Sequence, residues 1–244
     1  AASDVYKSQD IIGEELSRKL ENLQDKLPPF SQLEAKEIIK NEIWTCENFL
    51  QDEMIENMLN DMKSASEKTL DGGDAKHLVG NTYYNYNVVN SLRSNEKYKN
   101  AVIDNLNSLY KDAFGKTASK ENLSALNYFF KTFNPKTSKY DLHTESPELF
   151  GDAVFMLYLS DEDDGLLRIP TREQCDDLMT DGFKEMMEKV NVRFSGPLAI
   201  KPKKNTCVVM RVGLAHFVEP CTGHRPCVTG WSFASKEYME KYNG

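Results

Sequence analysis

From about residue 125 the chain turns into short apolar runs rich in β-branched and aromatic residues, separated by turns. Residues 125–133, 151–159, 166–169, 207–212 and 227–233 each fit a strand, and residues 171–189 fit an inserted loop and helix. The first half has a different texture. Residues 8–26 place Ile11, Ile12, Leu16, Leu20 and Leu23 on one helical face, and Pro28-Pro29 ends that helix. A second short helix is expected over 32–41, a strand over 42–50, and a helix over 52–68 through Met54, Ile55, Met58, Leu59 and Met62. Asp71-Gly-Gly-Asp is a turn, the Tyr- and Asn-rich residues 81–89 fit a strand or a polar pocket wall, and 95–114 fit a helix. Helices first and strands later imply a helical layer packed against an antiparallel sheet or barrel.

At 244 residues the chain can bury one good core, in one domain or at most two. Residues 1–40 are set apart as an N-terminal helical extension, and 41–244 form one domain whose barrel core spans about 125–235. The net charge of -8 argues against a nucleic-acid partner, since phosphate contacts need a surplus of Lys and Arg. Lys201, Lys203 and Lys204 cluster locally and are read as a solvated turn before a strand. No apolar run approaches the roughly 18 to 20 residues that cross a bilayer, and no intact signal peptide is visible, so a soluble chain with no membrane partner is expected. Five cysteines without a C-x-x-C pair point to a reducing compartment, cytoplasmic by default, although Cys221 and Cys227 bracket a turn that a bridge could close.

The chain has four histidines, and two of them carry the chemistry. In a strand, residues two apart face one side, so His143 and Glu145 of Tyr140-Asp-Leu-His-Thr-Glu145 can present an imidazole and a carboxylate to one point. His216, expected near the end of the strand that begins at Cys207, can supply a third ligand. Two histidines and one carboxylate make a facial triad with open positions, which suits non-haem Fe(II) oxygenases. An H-x-E pair alone occurs in many structural settings. His77 and His224 are left outside the ligand set, and the methionine stripe over 54–62 is read as core.

The surrounding order of residues adds to the triad. After Tyr140, His143 and Glu145 come Tyr158-Leu-Ser160, Gly165-Leu-Leu-Arg-Ile169, Pro202, His216, Arg225 nine positions on, and Thr229-x-Trp231. This succession resembles the Fe(II)- and 2-oxoglutarate-dependent dioxygenases, specifically the prolyl 4-hydroxylase branch. It covers about the last 105 residues in register, and Trp44-Thr-Cys-Glu-Asn-Phe-Leu50 resembles the family's opening strand. One departure stands out: Glu145 replaces the aspartate that prolyl hydroxylases usually carry, a change that bears on substrate class more than on the metal.

The resemblance implies an α+β fold, a double-stranded β-helix (a jelly-roll or cupin-like barrel) with supporting N-terminal helices. It implies Fe(II) held by His143, Glu145 and His216, with 2-oxoglutarate as cosubstrate, O2 as oxidant and ascorbate in a supporting role. Arg225 would pair with the far carboxylate of 2-oxoglutarate, because a guanidinium binds a carboxylate bidentately and stays charged. Tyr158 and Thr229 would add hydroxyl donors, and Tyr140 would border the same pocket. Arg168, Trp231 and Tyr84 are the candidate substrate contacts. The implied reaction decarboxylates 2-oxoglutarate to succinate and CO2 and hydroxylates a prolyl or amino-acid-like substrate. Other outcomes remain open: hydroxylation, desaturation or cyclisation of a small metabolite, a non-catalytic barrel used as a binding module, or a zinc hydrolase on the same ligands.

Overall fold

The computed structural model describes residues 35–68, 75–79, 82–88, 92, 94–117, 126–133, 140–221 and 225–233, with backbone alone for 65–68, 75–79, 82–88, 126–133 and 140. In chain order the strands are β1 (Ala35–Ile39), β2 (Ile43–Glu47), β3 (Ala75–Val79), β4 (Thr82–Val88), β5 (Leu126–Phe133), β6 (Tyr140–His143), β7 (Ala153–Tyr158), β8 (Leu167–Ile169), β9 (Leu198–Ile200), β10 (Thr206–Arg211), β11 (His216–Val218) and β12 (Arg225–Ser232). The helices are α1 (Asp52–Lys68), α2 (Glu96–Phe114), α3 (Pro147–Phe150) and α4 (Asp181–Lys189), with a 3-10 turn at Glu173–Cys175.

Two antiparallel sheets result. The major sheet runs β1-β2-β10-β7-β12-β5-β4-β3 and the minor sheet β6-β11-β8-β9. The sequence of β7, Ala-Val-Phe-Met-Leu-Tyr, has no polar face, and all six residues are buried, so the strand belongs in mid-sheet with both faces covered. Its alternation then sorts the core. Val154, Met156 and Tyr158 join Val208 and Met210 of β10, Leu167 and Ile169 of β8, and Val218 of β11 in one apolar cluster between the sheets. Helix α2 lies on the other face of the major sheet: Tyr110 shares a 2.6 Å hydrogen bond with Ser232, and Trp44 meets Phe114 at 5.2 Å. Asn95 caps its start by accepting from Tyr98 N, and Gly115 at φ 67 ends it in the left-handed conformation.

Strands of the minor sheet are only three or four residues long. Behind them α4 and the 3-10 turn form a second small core, where Leu142 and Ala215 pack with Cys175 and Phe183. Thr180 fixes the start of α4 by accepting from Phe183 N at 3.2 Å.

Several expectations are corrected. Residues 35–39, expected as part of a helix, form β1 because their partner strand β2 offers a ladder that outweighs local helical spacing. His216 does not close the strand that precedes it: β10 ends at Arg211, and His216 opens β11 in the other sheet. Glu145 lies beyond the end of β6 at His143 rather than within a strand. The five cysteines are all free and buried, so Cys221 and Cys227 form no bridge. The Lys201, Lys203 and Lys204 cluster does lie in a turn before a strand, as expected, and pairs with Asp163, Glu47 and Glu56 respectively. The helix expected over 8–26 lies outside the described residues. Among the described residues, no helix is long and apolar enough to cross a membrane.

Candidate metal centre

The antiparallel pairing of β6 with β11 sets His143 directly opposite His216, and their rings lie 4.1 Å apart between centroids. Each ring is held by the backbone of its own segment. His143 Nδ1 lies 2.7 Å from the carbonyl oxygen of Asp141, and His216 Nδ1 lies 2.8 Å from that of Leu214. A carbonyl only accepts, so each Nδ1 carries the proton and each Nε2 carries the lone pair. Glu145 Oε1 sits 3.9 Å from His143 Nε2 and 3.8 Å from His216 Nε2.

Candidate ligand atoms of the three residues all fall within 4.8 Å of one another, and they form the one such His/Cys/Asp/Glu group among the described residues. Two donors bonded to one ion at ~2.1 Å lie at most ~4.2 Å apart, so both carboxylate-imidazole separations fit a shared metal. Glu145 is 7% exposed, and its Oε2 is buried without a hydrogen-bond partner, a costly arrangement for a carboxylate that a cation would relieve. The donor set therefore fits a divalent transition metal held on one face.

The triad borders a small pocket of about 30 Å³, lined by His143, Glu145 and His216 together with residues of the major sheet. On β12 the alternation Arg225, Cys227, Thr229, Trp231 faces this core, and register with β7 sets Cys227 opposite Tyr158, Thr229 opposite Met156, and Trp231 opposite Val154. Trp231 stands at the triad: its Nε1 donates to Glu145 Oε1 at 3.3 Å, and its ring packs on Phe150 at 5.0 Å. Arg225 lies four residues before Thr229 on β12 and is fully buried. Its Nη2 donates to Tyr158 Oη at 3.2 Å and to Met156 Sδ at 3.2 Å, with the guanidinium 5.0 Å over the Tyr158 ring.

Burial raises the Tyr158 pKa, with the neighbouring Arg225 charge opposing, so Tyr158 is a neutral phenol that accepts from Arg225 and can donate its own proton. Gly165 makes room for this arrangement. At φ +65 it occupies a region that disfavours side chains, and a Cβ there would stand 2.9 Å from Arg225 Cδ.

Not every expected residue joins the pocket. Thr229 lines it, but its hydroxyl donates to the carbonyl of Phe155 at 3.0 Å, so its proton is already committed. Arg168, a candidate substrate contact, does not line the pocket at the triad. In β8, Leu167 and Ile169 turn inward, and Arg168 turns out to pair with Glu219 at 2.6 Å beside a separate groove. The side chains of Tyr140 and Tyr84, and all of His224, lie outside the described residues. Met156, Cys227, Met210, Val154 and Val218 line the pocket without having been singled out. Period-two alternation from Tyr158 and Arg225 would have found Met156 and Cys227.

No family model matches the chain, and no curated protein matches it in sequence. Solved structures do match its fold. A prolyl 4-hydroxylase from Pseudomonas putida aligns with 13% identity over 80% of this chain and 94% of its own, at a TM-score of 0.50. A prolyl hydroxylase from Trichoplax adhaerens, solved with a hypoxia inducible factor peptide fragment, aligns with 12% identity over 82% of this chain and 87% of its own, at 0.54. A prolyl 4-hydroxylase from Phytophthora capsici aligns with 12% identity over 82% of this chain and 61% of its own, at 0.53. The chain shares the fold of these prolyl hydroxylases, and its His143, Glu145 and His216 fit a triad of H-x-E…H form.

Proposed function

We propose that this chain is an Fe(II)- and 2-oxoglutarate-dependent oxygenase on a double-stranded β-helix, hydroxylating a prolyl or amino-acid-like substrate. The observation that carries the proposal is the joint placement of the His143, Glu145 and His216 cluster, whose histidines sit on the minor sheet, and a fully buried Arg225 on β12 of the major sheet, the strand whose Cys227, Thr229 and Trp231 line the pocket at the triad. A hydrolase needs the first of these and has no use for the second.

Iron, O2 and 2-oxoglutarate, when bound, supply oxidative decarboxylation to succinate and CO2 coupled to oxidation of a C–H bond. The chain's own residues do the positioning. His143 and His216 offer Nε2 lone pairs in a fixed tautomer, and Glu145 supplies the negative charge. Arg225 offers a permanently charged planar fork for a carboxylate, and Tyr158 adds a hydroxyl proton from the same side. Val154, Met156, Met210 and Val218 surround the site with apolar surface that excludes water. A polypeptide substrate is favoured because a protein of this fold is solved with a peptide fragment.

The test is succinate formation. The purified chain, given Fe(II), 2-oxoglutarate and air, is expected to release succinate, faster when a proline-containing peptide is added. Absence of turnover with and without peptide overturns the proposal, since neither a binding module nor a zinc hydrolase makes succinate.

A further inference from the structure

Met156 stands between the two ends of the site. It lines the pocket beside the triad, while its Sδ reaches Arg225 Nη2 at 3.2 Å. The register puts its backbone opposite Thr229, four residues along β12 from Arg225, so the two side chains together bridge that interval to make the contact. The pocket wall consequently stops at Met156, Cys227 and Thr229, and neither Arg225 nor Tyr158 lines it. A ligand that touched the metal ligands and Arg225 together would have to pass through the space that the thioether fills.

We infer that Met156 is a specificity-determining shutter over Arg225: in contact with the guanidinium, it must swing aside before a dicarboxylate can span from the triad to Arg225. This inference rests on the function proposed above. Methionine suits the task. Its unbranched side chain has three rotatable bonds, and its sulfur is a weak acceptor, so leaving the guanidinium sacrifices little. What replaces the contact is a charge-assisted, bidentate carboxylate pair, which is among the strongest side-chain interactions. A ligand with only one acid group can chelate at the triad but gains nothing by opening the shutter, so the device favours diacids over monoacids. The affinity of the free protein for a diacid is reduced by the fraction of time that the shutter is open.

The experiment titrates 2-oxoglutarate, and separately pyruvate as a monoacid, into the Mn(II)-loaded full chain by calorimetry without O2. Met156→Leu conserves volume and protects the fold, but its shorter branched end cannot hold the guanidinium; Met156→Ala removes the obstruction altogether. Both variants are expected to bind 2-oxoglutarate about three- to tenfold more tightly than the unaltered chain, with pyruvate unchanged. Equal or weaker 2-oxoglutarate binding in both variants, with the unaltered chain binding it, overturns the shutter and leaves the proposed function standing. Absence of 2-oxoglutarate binding in all three Mn(II)-loaded proteins overturns both. Equal tightening of pyruvate and 2-oxoglutarate also overturns the shutter, because simple enlargement of the pocket would favour any oxo acid.

Discussion

The two sheets supply opposite ends of the site by different physical means. In the major sheet, β7, β10 and β12 are six to eight residues long and almost wholly buried, so Arg225 is held by packing on every side and by the space that Gly165 leaves. The minor sheet has strands of three or four residues, and its two histidines are instead oriented one at a time by carbonyls two residues back in their own segments. A charge carrier that must stay desolvated needs a dense wall, whereas a ligand ring needs only one well-placed acceptor and an opposing partner. The metal end and the acid end should therefore fail independently when altered.

The sharpest break is expected at the minor sheet. His143→Ala or His216→Ala should abolish Mn(II) binding in calorimetry, a loss beyond the roughly 10- to 100-fold that follows even from removing the partners behind a ligand. Metal affinity within tenfold of the unaltered chain would remove the ligand assignment. The next largest effect belongs to the major sheet. Arg225→Ala should leave Mn(II) binding intact and weaken 2-oxoglutarate by about 2–3 kcal/mol, roughly 30- to 150-fold, as expected when one member of a buried charge pair is truncated. Arg225→Lys should recover part of this, since it restores charge without the planar fork. If Arg225→Ala instead lowered metal affinity and left 2-oxoglutarate alone, the division between the sheets would be wrong.

The same contrast explains what could be read in the sequence. Residues 151–159 and 207–212 announce β7 and β10 because long buried strands are long apolar runs, and 52–68 and 95–114 announce α1 and α2 through helical spacing. Three-residue strands such as β9 and β11 have no period to detect, and β1 looks helical until β2 is beside it. The ligands were legible through residue type and order, not through local structure. Glu145 reaches the site from outside β6, so the strand argument that paired it with His143 foresaw their proximity on incomplete geometry. Arg168 sits away from the triad for the complementary reason: its neighbours Leu167 and Ile169 take the inward positions of β8. Met156 went unnoticed because a methionine inside an apolar strand looks like ordinary core until its contact with Arg225 is seen.

The smallest expected effect concerns a hydrogen bond within the site that ties the two sheets' contributions together. Trp231 belongs to β12, and its Nε1 donates to Glu145 Oε1, which lies just past β6. Glutamate is one methylene longer than aspartate and has an extra rotatable bond, so its carboxylate needs external positioning to meet both Nε2 atoms. At 3.3 Å the bond is long, and Trp231→Phe, which keeps the ring against Phe150, should weaken Mn(II) by about 1 kcal/mol, roughly fivefold. Lost packing could imitate that result in the single variant, and a cycle with Glu145→Asp separates the two causes. The shorter acid withdraws from the indole, so Trp231→Phe should cost little metal affinity in the Glu145→Asp background, giving a coupling of about 1 kcal/mol. Additive losses would show that the indole fills space without steering the carboxylate, and that the two ends of the site are uncoupled at this bond.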